Sequence, residues 1–302
     1  MMNHEPCTRS EKVRIQKKEF RISQVAPYIN WIYFFHAWGM EPRFAAIAEV
    51  HDCPTCREGW IASFPKEERA KAREAATLYS EAKALLQAWA DKAACQASLL
   101  IAEANSDGDD IIIDGNTRLP LLRQQQPDKE GYTLCLSDFI RPAASGIADR
   151  IGIFATTAHT PDEENPLLAS TLADRLAEAT AEKLHEEVRK HYWGYARDEQ
   201  WSMRELHDER FQGIRPAVGY PSLPDQSINF IIDELLQLKN IGITLSTSGA
   251  MQPPASVSGL MIAHPQARYF AVGRISEDQL HDYALRRRLS SEALRSFLES
   301  NL

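Results

Sequence analysis

Arg215 and Tyr220 lie in Gly213-Ile214-Arg215-Pro216-Ala217-Val218-Gly219-Tyr220-Pro221-Ser222-Leu223-Pro224, a segment with prolines at 216, 221 and 224. Proline fixes φ and lacks an amide donor, so neither a helix interior nor a central strand can use this stretch, and it is expected to be irregular. An ordered irregular segment can present a binding surface, where a guanidinium and a phenol would grip a polar or anionic group. The same residues also describe a rigid surface turn with a solvated arginine. A second cluster is Cys53-Pro54-Thr55-Cys56 with His51 close by. A CxxC can be half a zinc site or a redox pair, but no second CxxC and no HxxxH accompanies it. Free thiols or an incidental pair is the preferred reading, metal or redox chemistry the other, and no metal ligand is assigned. No GxGxxG follows an expected strand, and GxxxxGK[ST], GxSxG and HExxH are absent, so dinucleotide, P-loop and local hydrolase signatures are unsupported.

These groups need a scaffold, and the 302 residues, 44% hydrophobic, can bury a substantial core in one large domain or two ordinary ones. No apolar run approaches the roughly eighteen residues of a membrane span, and the first positions are too charged for a signal peptide. A soluble, cytoplasmic chain is expected. With 34 basic and 42 acidic side chains, the net charge of -8 argues against nucleic acid and against an anionic membrane surface. Five cysteines at irregular spacing suggest no secreted disulfide framework.

Residues 1–26 are polar and mixed in charge, which reads as a poorly ordered arm, and the folded part is expected over residues 27–302. Residues 66–93 lack proline and glycine and repeat Leu78, Ala82, Leu85, Leu86 and Trp89 at helical spacing. Residues 98–104 and 110–114 flank an Asp-Gly bend and predict a hairpin. Two more strands are expected at 131–136 and 150–157, the latter buried by its near-continuous apolar character. A second long helix is predicted over 165–192, with Leu172, Leu176, Ala179, Leu184 and Val188 on one stripe. After a short charged helix and the proline-rich loop, Ile228, Ile231, Ile232, Leu235 and Leu236 mark a helix that Gly242 is placed to end. Residues 256–263 and 269–275 flank His264-Pro265 as a second hairpin. Two short helices, near 276–286 and 290–298, each open on a serine able to cap. Strands arriving in hairpins, with long helices inserted between them, predict an α+β fold: a twisted, largely antiparallel sheet with long helices packed around it.

The proline-rich loop and four further blocks resemble, in order, the activation domain of cobalamin-dependent methionine synthase. The blocks are Ala173-Asp174-Arg175-Leu176-Ala177-Glu178, Tyr192-Trp193-Gly194-Tyr195-Ala196, Ala255-Ser256-Val257-Ser258-Gly259, and His264-Pro265 leading into Tyr269-Phe270-Ala271-Val272. The strand Asp149-Arg150-Ile151-Gly152-Ile153-Phe154-Ala155 is similar as well, and the likeness covers about residue 27 to the end. In the full enzyme this domain follows regions for homocysteine, folate and cobalamin. The lower-axial cobalamin motif Asp-x-His-x-x-Gly is missing here, as are the zinc cysteines that activate homocysteine. The resemblance therefore implies a stand-alone reactivation subunit of a split enzyme in methionine biosynthesis, unable to make methionine alone.

That resemblance implies S-adenosylmethionine as ligand and cobalamin carried by a partner, a cobalamin-binding methionine synthase subunit, with flavodoxin or a similar protein as electron donor. Reduction of cob(II)alamin is coupled to methyl transfer, and proximity and orientation carry the catalysis without a general base. By the same resemblance Arg215 holds the ligand carboxylate, Glu178 attracts its ammonium or sulfonium, and Tyr269 and Phe270 are the contacting pair. Tyr220 and the backbone of Ala217 complete the set. Asn30 stands where the family commonly has an aspartate, keeping an acceptor but losing the charge. Residues 225–227 lack the family's usual histidine and lysine. Two alternatives stay open: a non-catalytic S-adenosylmethionine sensor that docks on a corrinoid protein, and a CxxC-based metal or redox protein.

Overall fold

In the computed structural model, which describes residues 12–127, 129–161 and 163–302, six strands form one sheet. They are β1 (Val13–Phe20), β2 (Ala94–Asp107), β3 (Asp110–Ile113), β4 (Thr117–Pro120), β5 (Asp149–His159) and, after the separate two-residue pair β6 (Thr244–Leu245) and β7 (Met251–Gln252), β8 (Ser256–Met261). The order is β4-β3-β2-β5-β8, with β1 also paired to β2, and every pairing in the sheet is antiparallel. Period-two patterning splits the long strands between two cores. Cys95, Ala97, Leu99 and Ile101 of β2 and Phe154 and Ala158 of β5 pack on one side. Leu100, Ala102 and Ala104 of β2 and Ile151, Ile153 and Ala155 of β5 pack on the other. A buried Leu or Ile side chain contributes roughly 1.5–3 kcal/mol, so covering both faces is what holds these strands at the centre.

Helices supply the two covers. In chain order they are α1 (Ile22–Val25), α2 (Trp31–Ala37), α3 (Pro54–Ala62), α4 (Arg69–Ala88), α5 (Pro166–Glu187), α6 (Met203–His207), α7 (Ile228–Leu236), α8 (Glu277–Arg287) and α9 (Ser291–Arg295). The first core is closed by α4 and α5, through Leu78, Ala82 and Leu86 and through Leu172, Leu176 and Leu184. Asn165 caps α5 by accepting from the Leu168 amide at 3.1 Å, and the helix runs on as a π-helical turn at Val188–Tyr192. The second core is closed by α7 through Ile228, Ile232 and Leu236. The α+β class and the antiparallel sheet match the sequence expectation. Among the described residues no helix is long and apolar enough to cross a membrane.

Five local expectations are corrected. Residues 13–20 are not a poorly ordered arm: they pair with β2, and residues 1–11 lie outside the described residues. Residues 131–136 form no strand, because Asp138 accepts from the Cys135 amide at 2.8 Å and turns the chain into a 3₁₀ helix at Leu136–Phe139. Residues 269–275 do not return alongside β8. They cross the proline-rich loop, with the Val272 amide donating to Pro221 O at 2.8 Å. It is Gln237, in the left-handed region, that ends α7, while Gly242 ends the 3₁₀ turn that follows. Ser290 caps α9, but the Ser276 side chain makes no capping bond to α8.

The proline-rich loop takes the place vacated beside β8. Its Ile214 amide and carbonyl exchange hydrogen bonds with Ile262 at 2.9 Å, Leu260 N donates to Pro216 O at 3.0 Å, and Val218 N donates to Ser258 O at 2.9 Å. Pro216 needs only its carbonyl for this, so an edge position tolerates it. The approach is close because Gly259 has no side chain: a Cβ there would run into the Pro216 carbonyl and lie 2.9 Å from Ala217 Cα.

Candidate functional site

Against the middle of α5 the loop borders a cavity of about 500 Å³. Helical spacing brings Arg175, Glu178, Ala179 and Glu182 to one face of α5, and all four line it. The loop contributes residues 215–217 and 220–222, the crossing segment contributes Tyr269 and Phe270, and Tyr28, Asn30 and Tyr33 come from the region that opens α2. All seven residues singled out from the sequence, Asn30, Glu178, Arg215, Ala217, Tyr220, Tyr269 and Phe270, line this one cavity.

Two of the charges inside are paired with one another. Arg215 Nη2 donates to Glu182 Oε2, and the two side chains are 17% and 6% exposed. Burial works against the guanidinium's charge, but the field of Glu182, with Tyr269 and Glu178 behind it, raises its pKa above the usual arginine value. The pairing is incomplete: Arg215 Nε and Glu182 Oε1 are buried and have no hydrogen-bond partner. Unpartnered buried polar atoms are costly and rare, and each asks for an explanation. Tyr220 donates to Glu178 Oε1 at 2.6 Å, and burial first, then the Glu178 charge, push its phenol well up. Tyr269 is raised mainly by burial, and its oxygen accepts from the Arg215 amide at 3.0 Å. Burial also raises the pKa of Glu209, which lines the same cavity.

Asn30 has a local task. Its Oδ1 accepts from the Ile32 amide at 3.1 Å and caps α2, so the acceptor that asparagine retains is engaged by the helix. Ala217 bridges to Gly259 of β8, and its carbonyl accepts from the Tyr220 amide at 3.2 Å. Arg215 departs from the sequence reading, in which its fork is free for a carboxylate: one arm is taken by Glu182. Sequence reasoning missed Glu182, which lies four residues after Glu178 and flanks the apolar stripe of α5. Its place beside that stripe is the sequence signal that could have found it, and in the structure the residue is 4% exposed. Tyr28, Tyr33, Arg175 and Glu209 were likewise missed, since their convergence depends on tertiary packing.

Away from the cavity, Cys53 caps α3, its Sγ accepting from the Cys56 amide at 3.2 Å.

Residues 21–288 match the model of the family described as vitamin B12 dependent methionine synthase, activation domain. A crystal structure of the MetH reactivation domain bound to AdoHcy is similar to this chain at a TM-score of 0.81 and 35% sequence identity, over 98% of this chain and 91% of that one.

Proposed function

Since the chain belongs to the family of vitamin B12-dependent methionine synthase activation domains, we propose that its cavity binds S-adenosylmethionine and that the chain supports reductive methylation of a cobalamin held by a partner. The single observation that carries the reading is the pair of orphaned buried atoms, Arg215 Nε and Glu182 Oε1, on residues that line one cavity. A free donor on a cation and a free acceptor on an anion match the carboxylate and ammonium of an amino-acid moiety. The cavity volume falls in the range of about 300–1,000 Å³ typical of small-molecule sites. The similar reactivation domain bound to AdoHcy supports the same reading, because that ligand is S-adenosylmethionine less its methyl group.

The ligand supplies a methyl group on a sulfonium, whose departure as a neutral thioether makes transfer to the reduced corrinoid strongly downhill. What these residues do is bind and orient. Arg215 holds the carboxylate through its free Nε, Glu182 takes the ammonium, and Glu178 with Tyr220 lies near enough to favour the sulfonium charge. Tyr269 and Phe270 give the adenosine flat apolar surface, and the Ala217 backbone stays anchored on β8. Orientation of this kind lowers a barrier without a proton donor or base. A flavodoxin-like protein supplies the electron in this proposal.

Calorimetry with S-adenosylmethionine and with S-adenosylhomocysteine tests binding. A cob(II)alamin-loaded methionine synthase lacking its own activation region, supplied with reduced flavodoxin, then tests reactivation by its absorbance change. Failure to bind either ligand sinks the proposal. Binding without any stimulation instead selects the second reading, a sensor that docks on a corrinoid protein, which the engaged acceptor of Asn30 favours.

A further inference from the structure

The cluster left outside this account is His51, Cys53 and Cys56. One nitrogen of His51 and the two sulfurs all lie within 4.8 Å of one another. Local bonds build this convergence. The Cys53 amide donates to His51 O at 2.8 Å, folding the turn back, and the Cys56 amide donates to Cys53 Sγ at 3.2 Å. Cys53 is the cap of α3 and Cys56 lies three residues into it, so both sulfurs stand at the same end of the helix. The intervening Asp52 is turned to other work: Lys83 Nζ of α4 and Arg57 Nη2 hold its carboxylate at 2.9 and 3.0 Å. That pairing ties the turn to two helices and satisfies the nearest acid.

We propose that His51, Cys53 and Cys56 form a surface site for a thiophilic divalent cation of the zinc class, with water in the fourth position. Two sulfurs and an imidazole are the donor set such an ion prefers, and three protein ligands plus water is a coordination it commonly adopts. Bond lengths of about 2.3 Å to sulfur and about 2.0 Å to nitrogen require the ligand atoms to draw in by roughly 1 Å. His51 and Cys56 are exposed and Cys53 is half-buried, so rotation of side chains supplies that movement. As each sulfur–metal bond forms, the thiol gives its proton to solvent, and no electron is transferred. The two other cysteines in the described residues, Cys95 and Cys135, are buried and stand apart from the cluster.

The test uses the full chain, reduced and stripped of metal. Titration with Zn²⁺ against a chromogenic chelator should give one equivalent bound with proton release, and Co²⁺ should produce sulfur-to-metal charge-transfer and tetrahedral d–d bands. Cys53→Ser, Cys56→Ser and His51→Ala should each lower affinity by more than the about 10- to 100-fold typical of disturbing an outer partner. Circular dichroism verifies that each variant is folded. No saturable uptake overturns the proposal. So does uptake that any one of the three ligand variants leaves unchanged.

Discussion

Glu182 and Asp225 are both buried acids near the proline-rich loop, 4% and 1% exposed, but they are satisfied to different degrees. Asp225 is saturated. It accepts from the Ser227 amide and hydroxyl at 2.8 Å each and from the Tyr283 hydroxyl at 2.7 Å, with Arg287 Nε 3.5 Å away. Glu182 has Arg215 on one oxygen and nothing on the other. A fully engaged carboxylate fixes the fold where it stands, whereas one with a free oxygen beside a cavity keeps binding capacity in reserve. The difference teaches that burial of a charge does not by itself mark a site. An unfilled valence on a residue that lines a cavity does.

The largest effect should come from removing the fully engaged acid. Asp225→Ala strands Arg287 and Tyr283 and should lower unfolding free energy by about 3–5 kcal/mol in urea titration. The folded fraction should still bind S-adenosylmethionine within about threefold, because Asp225 does not line the cavity. Arg215→Ala inverts this pattern and should weaken the ligand by about 1.5–3 kcal/mol, roughly 10- to 150-fold by calorimetry, while Arg215→Lys recovers only part because it lacks the planar fork. Equal affinity in Arg215→Ala would erase the distinction between the two acids. Glu182→Gln should reduce affinity by about tenfold and shrink the ligand-induced rise in Tm at a fixed ligand concentration, because the ligand ammonium then lacks a carboxylate partner. Tyr269→Phe removes the acceptor from the Arg215 amide and should weaken binding by about 1 kcal/mol or less.

His185, one turn beyond Glu182, sharpens the comparison through pH. Burial, then the Arg189 and Arg215 charges, lower its pKa well below 6.5, and its Nδ1 has no partner. The unfolded chain therefore takes up a proton that the fold refuses, so this contribution is intact above about pH 6.5 and stability is lost as pH falls below it. Thermal melts from pH 8 to 5 should show a shallower acid slope for His185→Gln than for the parent chain.

Much of this architecture is legible in the sequence. The stripes of α4, α5 and α7 are long and regular, and the apolar run of β5 has one reading. What failed was local in pattern but decided by partners. Val13–Phe20 reads Val-Arg-Ile-Gln-Lys-Lys-Glu-Phe, too polar to announce a strand, and is held by pairing to β2. Residues 269–275 have strand-forming composition, yet the edge of β8 is already taken by the loop. At the site, the family-like positions pointed to one cavity, but the Arg215–Glu182 pair joins residues 33 apart and depends on tertiary packing. The asparagine at position 30 was visible as a departure; that its oxygen caps a helix was not.

Gly259 lines no part of the cavity, yet it determines how near the loop lies to the sheet. A methyl group added there would act as a shim, lifting Pro216 and Ala217 away from β8 and carrying Arg215 with them relative to Glu182. Affinity could thus be adjusted from behind the binding wall, at a residue that a ligand never meets.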